Sequence, residues 1–369
     1  MEPWLSRDFG NASSRDHRWG WNAAEAVEQA RLYVSAAMNS RLTNVVFGSG
    51  ATEALNAMIR SYIGFGGWAS KTIIAASSEH EAVLAPVRYL CRETGVALRI
   101  LDVDREGRVD LAGLRSTLTR TSTALVVLMA ANNEIGTIHP VREIGGITHA
   151  AGAQFLCDTT QAFGKVAVDL SKDDIDFATI SAHKINGPKG VGALLHRGSA
   201  EKTTRIDGLI LGGAQERGLR GGTLNIPGIV GLGEACRLVQ EQLGGDVTRM
   251  GVLRDRLEEG ILSQVPQTWI NGDPSNRLCN TSNMGFKGVD ARTMIRDMHD
   301  IAVSTRSACS SGNSGPSHVL KAIGLSDEDA YSCIRFSLGR FTTEEEIDYA
   351  INKVVTSVHK LRRNKSVRM

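Results

Sequence analysis

Residues 1–240 alternate between two patterns of hydrophobic and polar positions. Short runs of apolar and β-branched residues predict strands, and segments with a helical spacing of apolar residues lie between them. The run Ala124–Met129 is apolar throughout, which is typical of a strand covered on both faces of a parallel sheet. The alternation predicts an α/β fold with a large sheet of mainly parallel strands. The predicted strands are Val45–Phe47, Thr72–Ala76, Ala97–Leu101, Ala124–Met129, Gln154–Cys157, Phe177–Ser181 and Gly192–His196. The predicted helices are Ala51–Tyr62, Ala82–Glu93, Asp110–Leu118 and Val141–Ala150.

The pattern changes at about residue 228. Two long amphipathic helices are predicted, followed by shorter strands and helices, which is typical of a second, smaller α+β domain. We therefore expect a large domain over residues 1–240 and a small domain over residues 241–369, with the first residues assignable to either. The predicted helices are Ile229–Leu243, Asp246–Gln264, 290–299, 316–323 and 343–361. The predicted strands are Thr281–Phe286, Ile301–Thr305 and Ser332–Ser337.

The charge balance and the cysteines narrow the class of protein. Forty-two basic and 40 acidic residues leave a net charge of +2, which excludes a strong global field for nucleic acid or membranes. The longest apolar run, from Ala124 to Ala131, is too short to span a bilayer, and the first residues lack the pattern of a signal peptide, so we expect a cytoplasmic protein. The six cysteines lack CxxC spacing, so most should be reduced thiols in the core, and one could be a nucleophile.

Two residues at the predicted ends of strands suggest cofactor chemistry. Lys184 follows Ser181 and His183 and precedes a loop rich in Gly and Pro, at the sheet edge where α/β folds bind ligands. It could form a Schiff base beside phosphate ligands, or it could be an ordinary surface lysine. Asp158 ends the preceding apolar strand, where it could pair with a protonated pyridine nitrogen and keep a pyridoxal ring electron-withdrawing. Alternatively, it caps the next turn.

Three further segments carry candidate chemistry. Residues 49–56 lead from a strand through Gly50 into a helix, and a helix N-terminus suits a phosphate, although such a segment is more often only a turn. His80 follows another strand and could stack on an aromatic cofactor or serve as an acid/base. Alternatively, it is a loop histidine with satisfied hydrogen bonds. Cys309 lies in a small polar loop that contains glycine, which suits a mobile nucleophile or a spectator thiol.

Taken together, the motifs resemble the pyridoxal-phosphate cysteine desulfurases of the NifS/IscS type, within the class V aminotransferases. The resemblance covers nearly the whole chain, in order and at similar spacing. It implies a type I fold of pyridoxal-phosphate enzymes, in which the small domain carries the Cys309 loop. The SAC loop resembles the NifS/IscS subgroup rather than the SufS one. The motifs are SGATEALN (49–56), SSEHEAVL (77–84), NNEIGT (132–137), CDTTQAFGK (157–165), SAHKINGPKGVGAL (181–194), GGAQERGLRGGTLN (212–225), STRSACSSG (304–312) and IRFSLGRFTTEEEID (334–348).

The resemblance implies three groups of site residues and no metal ligands. The implied catalytic residues are Cys309, Lys184 and His80. The residues implied to bind pyridoxal 5′-phosphate are Ala51, Thr52, His80, Asp158, Gln161, Ser181, His183, Lys184 and Thr223. Asn133 and Arg335 are implied to hold the substrate carboxylate, and a guanidinium suits that role because it can bind a carboxylate with two parallel hydrogen bonds.

Individual roles follow from the same resemblance. Lys184 resembles the lysine that forms the Schiff base and later moves protons at the substrate Cα, and His80 resembles the histidine that stacks on the ring. Asp158 would pair with the ring nitrogen and Gln161 with the ring hydroxyl. Thr223 resembles a phosphate ligand lent by the neighbouring subunit, which implies a homodimer. The implied reaction takes L-cysteine to L-alanine and leaves a persulfide on Cys309.

The sequence departs from the family pattern in two places that matter. The chain begins after the Asp-x-x-x-Thr-Thr-Pro type segment that the family usually carries, so we expect either an upstream start or a truncation that affects stability and substrate closure. Thr305 and Arg306 stand where the family more often has Ser-Gly. Arg306 is hypothesised to lower the pKa of the Cys309 thiol or to contact an acidic partner.

Other functions remain open at this point. A selenocysteine lyase or another pyridoxal-phosphate lyase would share the cofactor residues without needing Cys309, and a sulfur-carrier scaffold would need no catalysis. For a desulfurase, the sulfur acceptor could serve iron–sulfur cluster assembly, tRNA thiolation or DNA phosphorothioation, and a cluster transiently bound through Cys309 is also conceivable. Iron–sulfur assembly is the broadest expectation. We expect L-cysteine, a second subunit and an acceptor protein as partners, without a membrane or direct contact with nucleic acid.

Overall fold

The computed structural model describes residues 1–64, 71–197, 208, 210–305 and 315–366, and they belong to two compact units. The first unit comprises Met1–Leu101, Leu111–Ala130 and Pro140–Leu243, and the second comprises Asp102–Asp110, Ala131–His139 and Gly244–Met369. Two short segments from the first half of the chain therefore belong with its C-terminal part, which the sequence pattern does not indicate. The predicted division after residue 240 stays a prediction.

The first unit contains a seven-stranded sheet with strand order β1-β7-β6-β5-β4-β2-β3. Strands β3, β2, β4, β5 and β6 pair in parallel, whereas β7 runs antiparallel to both β6 and β1. The α/β class and the mainly parallel sheet are thus confirmed. The strands are β1 (Val45–Gly48), β2 (Thr72–Ala76), β3 (Ala97–Leu101), β4 (Thr123–Met129), β5 (Gln154–Asp158), β6 (Phe177–Ser181) and β7 (Gly192–His196).

Burial explains why these segments form strands. Every residue of β2, β4 and β6 is buried, as expected for parallel strands that helices cover on both faces. Leu55 and Ile59 of the third helix and Val83 and Val87 of the fourth pack into the same core. The helices that begin in this unit are α1 (Glu2–Ser6), α2 (Arg18–Ala37), α3 (Ala51–Gly64), α4 (Glu81–Thr94), α5 (Leu111–Arg120), α6 (Val141–Ala150) and α7 (Ile226–Leu262).

The second unit is built on a three-stranded antiparallel sheet with strand order β10-β9-β8. Its core combines strand residues such as Phe286 and Ile334 with Leu257, Met294 and Val354 from helices. The remaining elements are β8 (Thr268–Asn271), β9 (Thr281–Phe286), β10 (Cys333–Ser337), α8 (Ala291–Asp297), α9 (His318–Ala322), α10 (Asp327–Tyr331) and α11 (Glu344–Ser366). Across the described residues, no helix combines the length and apolar character that crossing a membrane requires.

Three predicted features of the C-terminal part are wrong. The two predicted long helices are one continuous helix, α7, because Gly244 and Gly245 keep negative φ angles rather than the left-handed turn that ends a helix. The predicted strand Ile301–Thr305 is reduced to an isolated bridge between Ser304 and Arg335. The prediction also lacks a strand at β8, whose first three residues are only half-buried and give no continuous apolar run.

Candidate active site

The carboxyl ends of the parallel strands bring most of the predicted cofactor residues to one edge of the sheet. His80 follows β2, Asp158 ends β5 and Ser181 ends β6. Lys184 lies three residues beyond Ser181, in a 3₁₀ helix over Ala182–Ile185. Parallel strands share the direction in which their carboxyl ends point, and ligands of open α/β sheets bind there. This edge is therefore the candidate cofactor site of the first unit.

The turn before α3 forms one end of this site. Gly50 has a φ of +150°, and a Cβ on Gly192 would lie 2.6 Å from the Gly50 Cα, so both positions require glycine. The Ser181 Oγ accepts a hydrogen bond from the Ala51 N–H at 2.8 Å. Thr52 is exposed on the first turn of α3. Because the first N–H groups of a helix lack intrahelical partners, this turn can bind a phosphate, with the Ala51 N–H shared with Ser181.

Lys184 and His183 are both exposed. The short helix that carries them ends at Asn186, which adopts a left-handed φ of 62°, and the Gly187 N–H closes the turn on the Ala182 carbonyl. Desolvation lowers the pKa of the His183 imidazole, and the positive charges of Lys184 and Lys189 lower it further. The ring is therefore neutral at pH 7 and can donate or accept one hydrogen bond without adding a charge beside Lys184.

Asp158 is buried, with a relative exposure of 7%. Its Oδ1 accepts hydrogen bonds from the Thr160 N–H at 3.0 Å and the Thr179 Oγ1 at 3.2 Å. The bond to Thr160 is the turn-capping contact that the sequence offered as the alternative to cofactor binding. Both bonds use Oδ1, so capping the turn leaves Oδ2 for a cofactor. Gln161 lies half-buried three residues further on.

His80 is oriented by the helix that it begins. It is the N-cap of α4, and its Nδ1 accepts a hydrogen bond from the Ala82 N–H at 3.0 Å. Since the Nδ1 is an acceptor, the neutral imidazole carries its proton on Nε2. The histidine is thus fixed in one tautomer at the same sheet edge as Asp158 and Lys184.

Thr223 lies exposed in the segment that leads into α7. A buried ion pair holds this segment to β1 and α2: the Glu216 carboxylate binds the Arg31 guanidinium through two hydrogen bonds of 2.8 and 2.9 Å. The Glu216 Oε2 also accepts from the Phe47 N–H. Glu216 adopts a positive φ of 46°, so the chain reverses here while the carboxylate stays buried.

In the second unit, the structure brings Asn133 and Arg335 together. The Arg335 Nη1 donates to the Asn133 carbonyl at 2.8 Å. The Arg335 Nε is buried and has no hydrogen-bond partner within the part of the chain that the structure describes. Burial lowers the pKa of the guanidinium, which the charge of Glu134 partly restores. An anion beside this guanidinium would supply the acceptor that it lacks.

The cysteines divide into two groups. Cys309 and its neighbour Arg306 lie outside the described residues. The other five are buried free thiols, which confirms the expectation of core cysteines. Burial raises the pKa of Cys91 to about 11 and that of Cys333 to about 12, and it raises the pKa of Cys157 and Cys236 as well. These four thiols are poor nucleophiles at neutral pH.

Comparison with known proteins identifies the family. The class-V aminotransferase model matches residues 1–350. The chain belongs to the class V aminotransferase family. The cysteine desulfurase IscS of Anaeromyxobacter sp. (strain Fw109-5) is 43% identical over 362 residues, covering 98% of this chain and 89% of that protein. The cysteine desulfurase IscS of Edwardsiella ictaluri (strain 93-146) is 45% identical over 358 residues, covering 97% and 87%.

A solved structure described as a NifS-like protein superposes with a TM-score of 0.88 at 34% identity, covering 96% of this chain and 93% of that one. The predicted resemblance to NifS/IscS-type proteins is therefore confirmed, and so is pyridoxal phosphate, the cofactor of this class V aminotransferase. The first unit fits this group. It offers a lysine amine, a buried carboxylate, a fixed histidine and a helix N-terminus whose approach is kept open by Gly50 and Gly192.

One buried residue of this edge was missed by the sequence reasoning. Glu79 lies inside the SSEHEAVL motif, but no role was assigned to it. Its relative exposure is 0%, and its Oε1 accepts from the Met129 N–H at 2.8 Å. The available signal was a glutamate directly before His80 and three residues beyond a predicted strand.

Proposed function

We propose that this class V aminotransferase is a cysteine desulfurase, which takes L-cysteine and an acceptor thiol to L-alanine and a persulfide. The observation that carries the proposal is the similarity, over 97–98% of the chain, to curated cysteine desulfurases at 43–45% identity. The sheet edge with Lys184, Asp158 and His80 supports it, because these side chains provide what the chemistry at the amino-acid Cα requires.

The first unit holds the cofactor and moves protons. When bound, pyridoxal phosphate supplies an electron sink for the carbanion at the substrate Cα. With the group bound, the Asp158 carboxylate would accept a hydrogen bond from the protonated ring nitrogen and keep it protonated, Gln161 would donate to the ring hydroxyl, and His80 would cover the ring. The Lys184 amine holds the cofactor and then carries the proton taken from Cα. The phosphate is bound by Thr52, Ser181 and His183 together with the N–H groups of Ala51 and Thr52 at the start of α3.

The second unit holds the substrate carboxylate. The Arg335 Nη1 donates to the Asn133 carbonyl, its buried Nε has no partner among the described residues, and a carboxylate matches the fork of donors that the guanidinium presents. The Asn133 side chain would donate to the same carboxylate. Asn283 supports this arrangement, because its amide donates to the Glu134 carbonyl at 3.2 Å and so steadies the turn that carries Asn133.

Cys309 accepts the sulfur. Its thiolate attacks the sulfur of the substrate, an S–S bond forms as the Cβ–S bond breaks, and the carbon keeps the bonding pair and is protonated to give alanine. The persulfide on Cys309 then passes to an acceptor thiol. Four of the described cysteines support this assignment, because burial raises their pKa and disfavours the thiolate that the attack requires.

The finer aspects of the proposal concern partners and location. The enzyme works as a homodimer in which Thr223 of one subunit binds the cofactor phosphate of the other, and the exposure of Thr223 supports this. It acts in the cytoplasm and delivers sulfur to an acceptor protein. Iron–sulfur cluster assembly is the first process to test, because the similar curated proteins carry the name IscS.

The test is alanine and persulfide formation from L-cysteine by the purified protein, with and without a reductant. Wild type should be yellow and should form both products. Cys309→Ser should stay yellow and form neither, whereas the matched variant Cys91→Ser should keep both activities. Full alanine release by Cys309→Ser would contradict the assignment of the nucleophile. A colourless wild-type protein that cannot be loaded with pyridoxal phosphate would overturn the proposed function itself.

A further inference from the structure

Glu79 is a buried carboxyl group that the proposed reaction does not use. It lies three residues beyond the end of β2, has a relative exposure of 0% and is next to His80 in the sequence. Its own N–H donates to the Ala76 carbonyl, and its Oε1 accepts from the Met129 N–H at 2.8 Å. The side chain therefore connects the end of β2 to the end of β4, and a fully buried acid in such a position calls for a physical explanation.

The contact with Met129 brings Glu79 to the strand that carries Asp158. In the parallel pairing of β4 with β5, Met129 is the register partner of Asp158. The next residue, Ala130, donates its N–H to the Asp158 carbonyl at 2.9 Å. Glu79 thus fixes the end of β4 at the position where β4 supports the backbone of Asp158, and it anchors the loop from which His80 begins α4.

Two carboxyl groups so placed cannot both carry a charge cheaply, because like charges in a buried region repel. Asp158 retains slight exposure, and its Oδ1 accepts two hydrogen bonds, as a carboxylate does. Burial raises the pKa of the Glu79 carboxyl well above its usual range, and the charge of Asp158 raises it further, against the opposing effect of the Met129 N–H. The proton therefore resides on Glu79.

We propose that Glu79 is a positioning residue that stays a neutral carboxylic acid, holds the ends of β2 and β4 around His80 and Asp158, and leaves Asp158 as the single negative charge of this pair of carboxyl groups. The inference rests on the proposed function in one respect: the single charge matches the single positive charge of a protonated ring nitrogen. A second carboxylate would leave the edge with excess negative charge, and a missing side chain would release the end of β4.

The experiment compares Glu79→Gln with Glu79→Ala in the full-length protein. Glutamine keeps the shape and the carbonyl oxygen that accepts from Met129, but it is permanently neutral. Alanine removes the acceptor. We expect the dissociation constant of pyridoxal phosphate, titrated by fluorescence into the cofactor-free chain, to stay within about threefold of wild type for Glu79→Gln. It should rise about tenfold or more for Glu79→Ala, because a buried donor loses its partner.

Infrared difference spectroscopy reads the protonation state directly. The carbonyl stretch of a protonated carboxylic acid should be present in wild type at pH 7 and absent in Glu79→Gln. The matched control is Glu258→Gln in the second unit, where another buried glutamate pairs with Arg277. This variant should keep the carbonyl band and the wild-type affinity for pyridoxal phosphate, even if it is less stable.

Two results would overturn the inference. One is a spectrum in which Glu79→Gln removes no carboxylic-acid band. The other is an affinity of Glu79→Gln for pyridoxal phosphate as low as that of Glu79→Ala, because it would mean that a negative charge on Glu79 is what the cofactor needs. Neither readout requires desulfuration. Failure of the proposed function would instead show in the wild-type protein, as an absence of alanine formation, while the infrared comparison still reports on Glu79.

Discussion

Replacing Arg335 by Met should remove substrate binding without unfolding the protein. The guanidinium donates to the Asn133 carbonyl and keeps a buried Nε without a partner in the described part of the chain. Two charge-assisted hydrogen bonds to a substrate carboxylate, at about 1.5–3 kcal/mol each, amount to about 3–6 kcal/mol. At about 1.4 kcal/mol per factor of ten, kcat/KM for L-cysteine should fall by about 10²- to 10⁴-fold.

The stability of the same variant should hardly change. Burial lowers the pKa of the Arg335 guanidinium, so the folded state carries a desolvation cost that Met does not have. A buried charge without an ion-pair partner is costly, so an apolar side chain of similar volume removes that cost and offsets the loss of the bond to Asn133. We therefore expect the free energy of unfolding of Arg335→Met to lie within about 1 kcal/mol of wild type. Arg335→Lys should be intermediate in kcat/KM, because it keeps the charge and loses the planar fork.

The assay is the initial rate of alanine formation against L-cysteine concentration, combined with urea denaturation followed by circular dichroism. Arg256→Met is the matched control, because Arg256 belongs to the same unit and pairs at the surface with Asp348 and Glu344. It should leave kcat/KM unchanged and cost at most about 1 kcal/mol of stability. The reasoning is refuted if Arg335→Met keeps kcat/KM within threefold of wild type, or if Arg256→Met loses as much.

Three further predictions follow from buried carboxyl groups. Glu216→Ala should lower the free energy of unfolding in urea by about 3–5 kcal/mol, because it removes the buried partner of Arg31 and leaves only the exposed Glu28 to pair with that guanidinium, and a loss below about 1 kcal/mol would contradict this. As the pH rises above about 4.3, wild type should lose free energy of unfolding relative to Glu79→Gln by about 1.4 kcal/mol per pH unit. The reason is that Glu79 is protonated in the folded state and releases its proton on unfolding. A parallel pH dependence of the two proteins would argue against a neutral Glu79. Asp158→Asn should weaken pyridoxal phosphate binding about 10- to 100-fold by fluorescence titration, and unchanged binding would mean that Asp158 only caps its turn.

The large sheet could be predicted because its central strands are buried on both faces, and such burial requires a continuous run of apolar residues. The run Ala124–Met129 became β4 with one residue added at its start. The C-terminal part was less predictable: β9 has its predicted bounds and is buried throughout, but β8 has four residues of which only one is buried. The glycine pair at 244–245 indicated a break, yet glycine ends a helix only where the backbone turns left-handed, and that depends on the packing of the whole element.

The site was predictable to the extent that it follows strands directly. Asp158 and Ser181 are the last residues of β5 and β6, so their placement at the sheet edge follows from strand direction. The burial of Glu79 does not. A polar stretch such as SSEHE is typical of an exposed loop. Its glutamate is buried because the side chain reaches the end of β4, where it accepts from the Met129 N–H. The contact between Asn133 and Arg335 also joins residues 202 positions apart, and no local pattern encodes it.

The segments 102–110 and 131–139 have a consequence for how the chain is made. They are synthesised early, but the residues that they contact are synthesised much later. Arg108 pairs with Asp273, and the Asn133 carbonyl accepts from Arg335. At about 5–20 residues per second, the roughly 200 residues between segment 131–139 and Arg335 take about 10–40 s to synthesise. During that time these contacts cannot form, so the second unit can be completed only near the end of translation. Nor could it be exchanged between proteins as a C-terminal cassette, because Asn133 and Arg335, which are in contact, lie about 200 residues apart in the sequence, with most of the first unit between them.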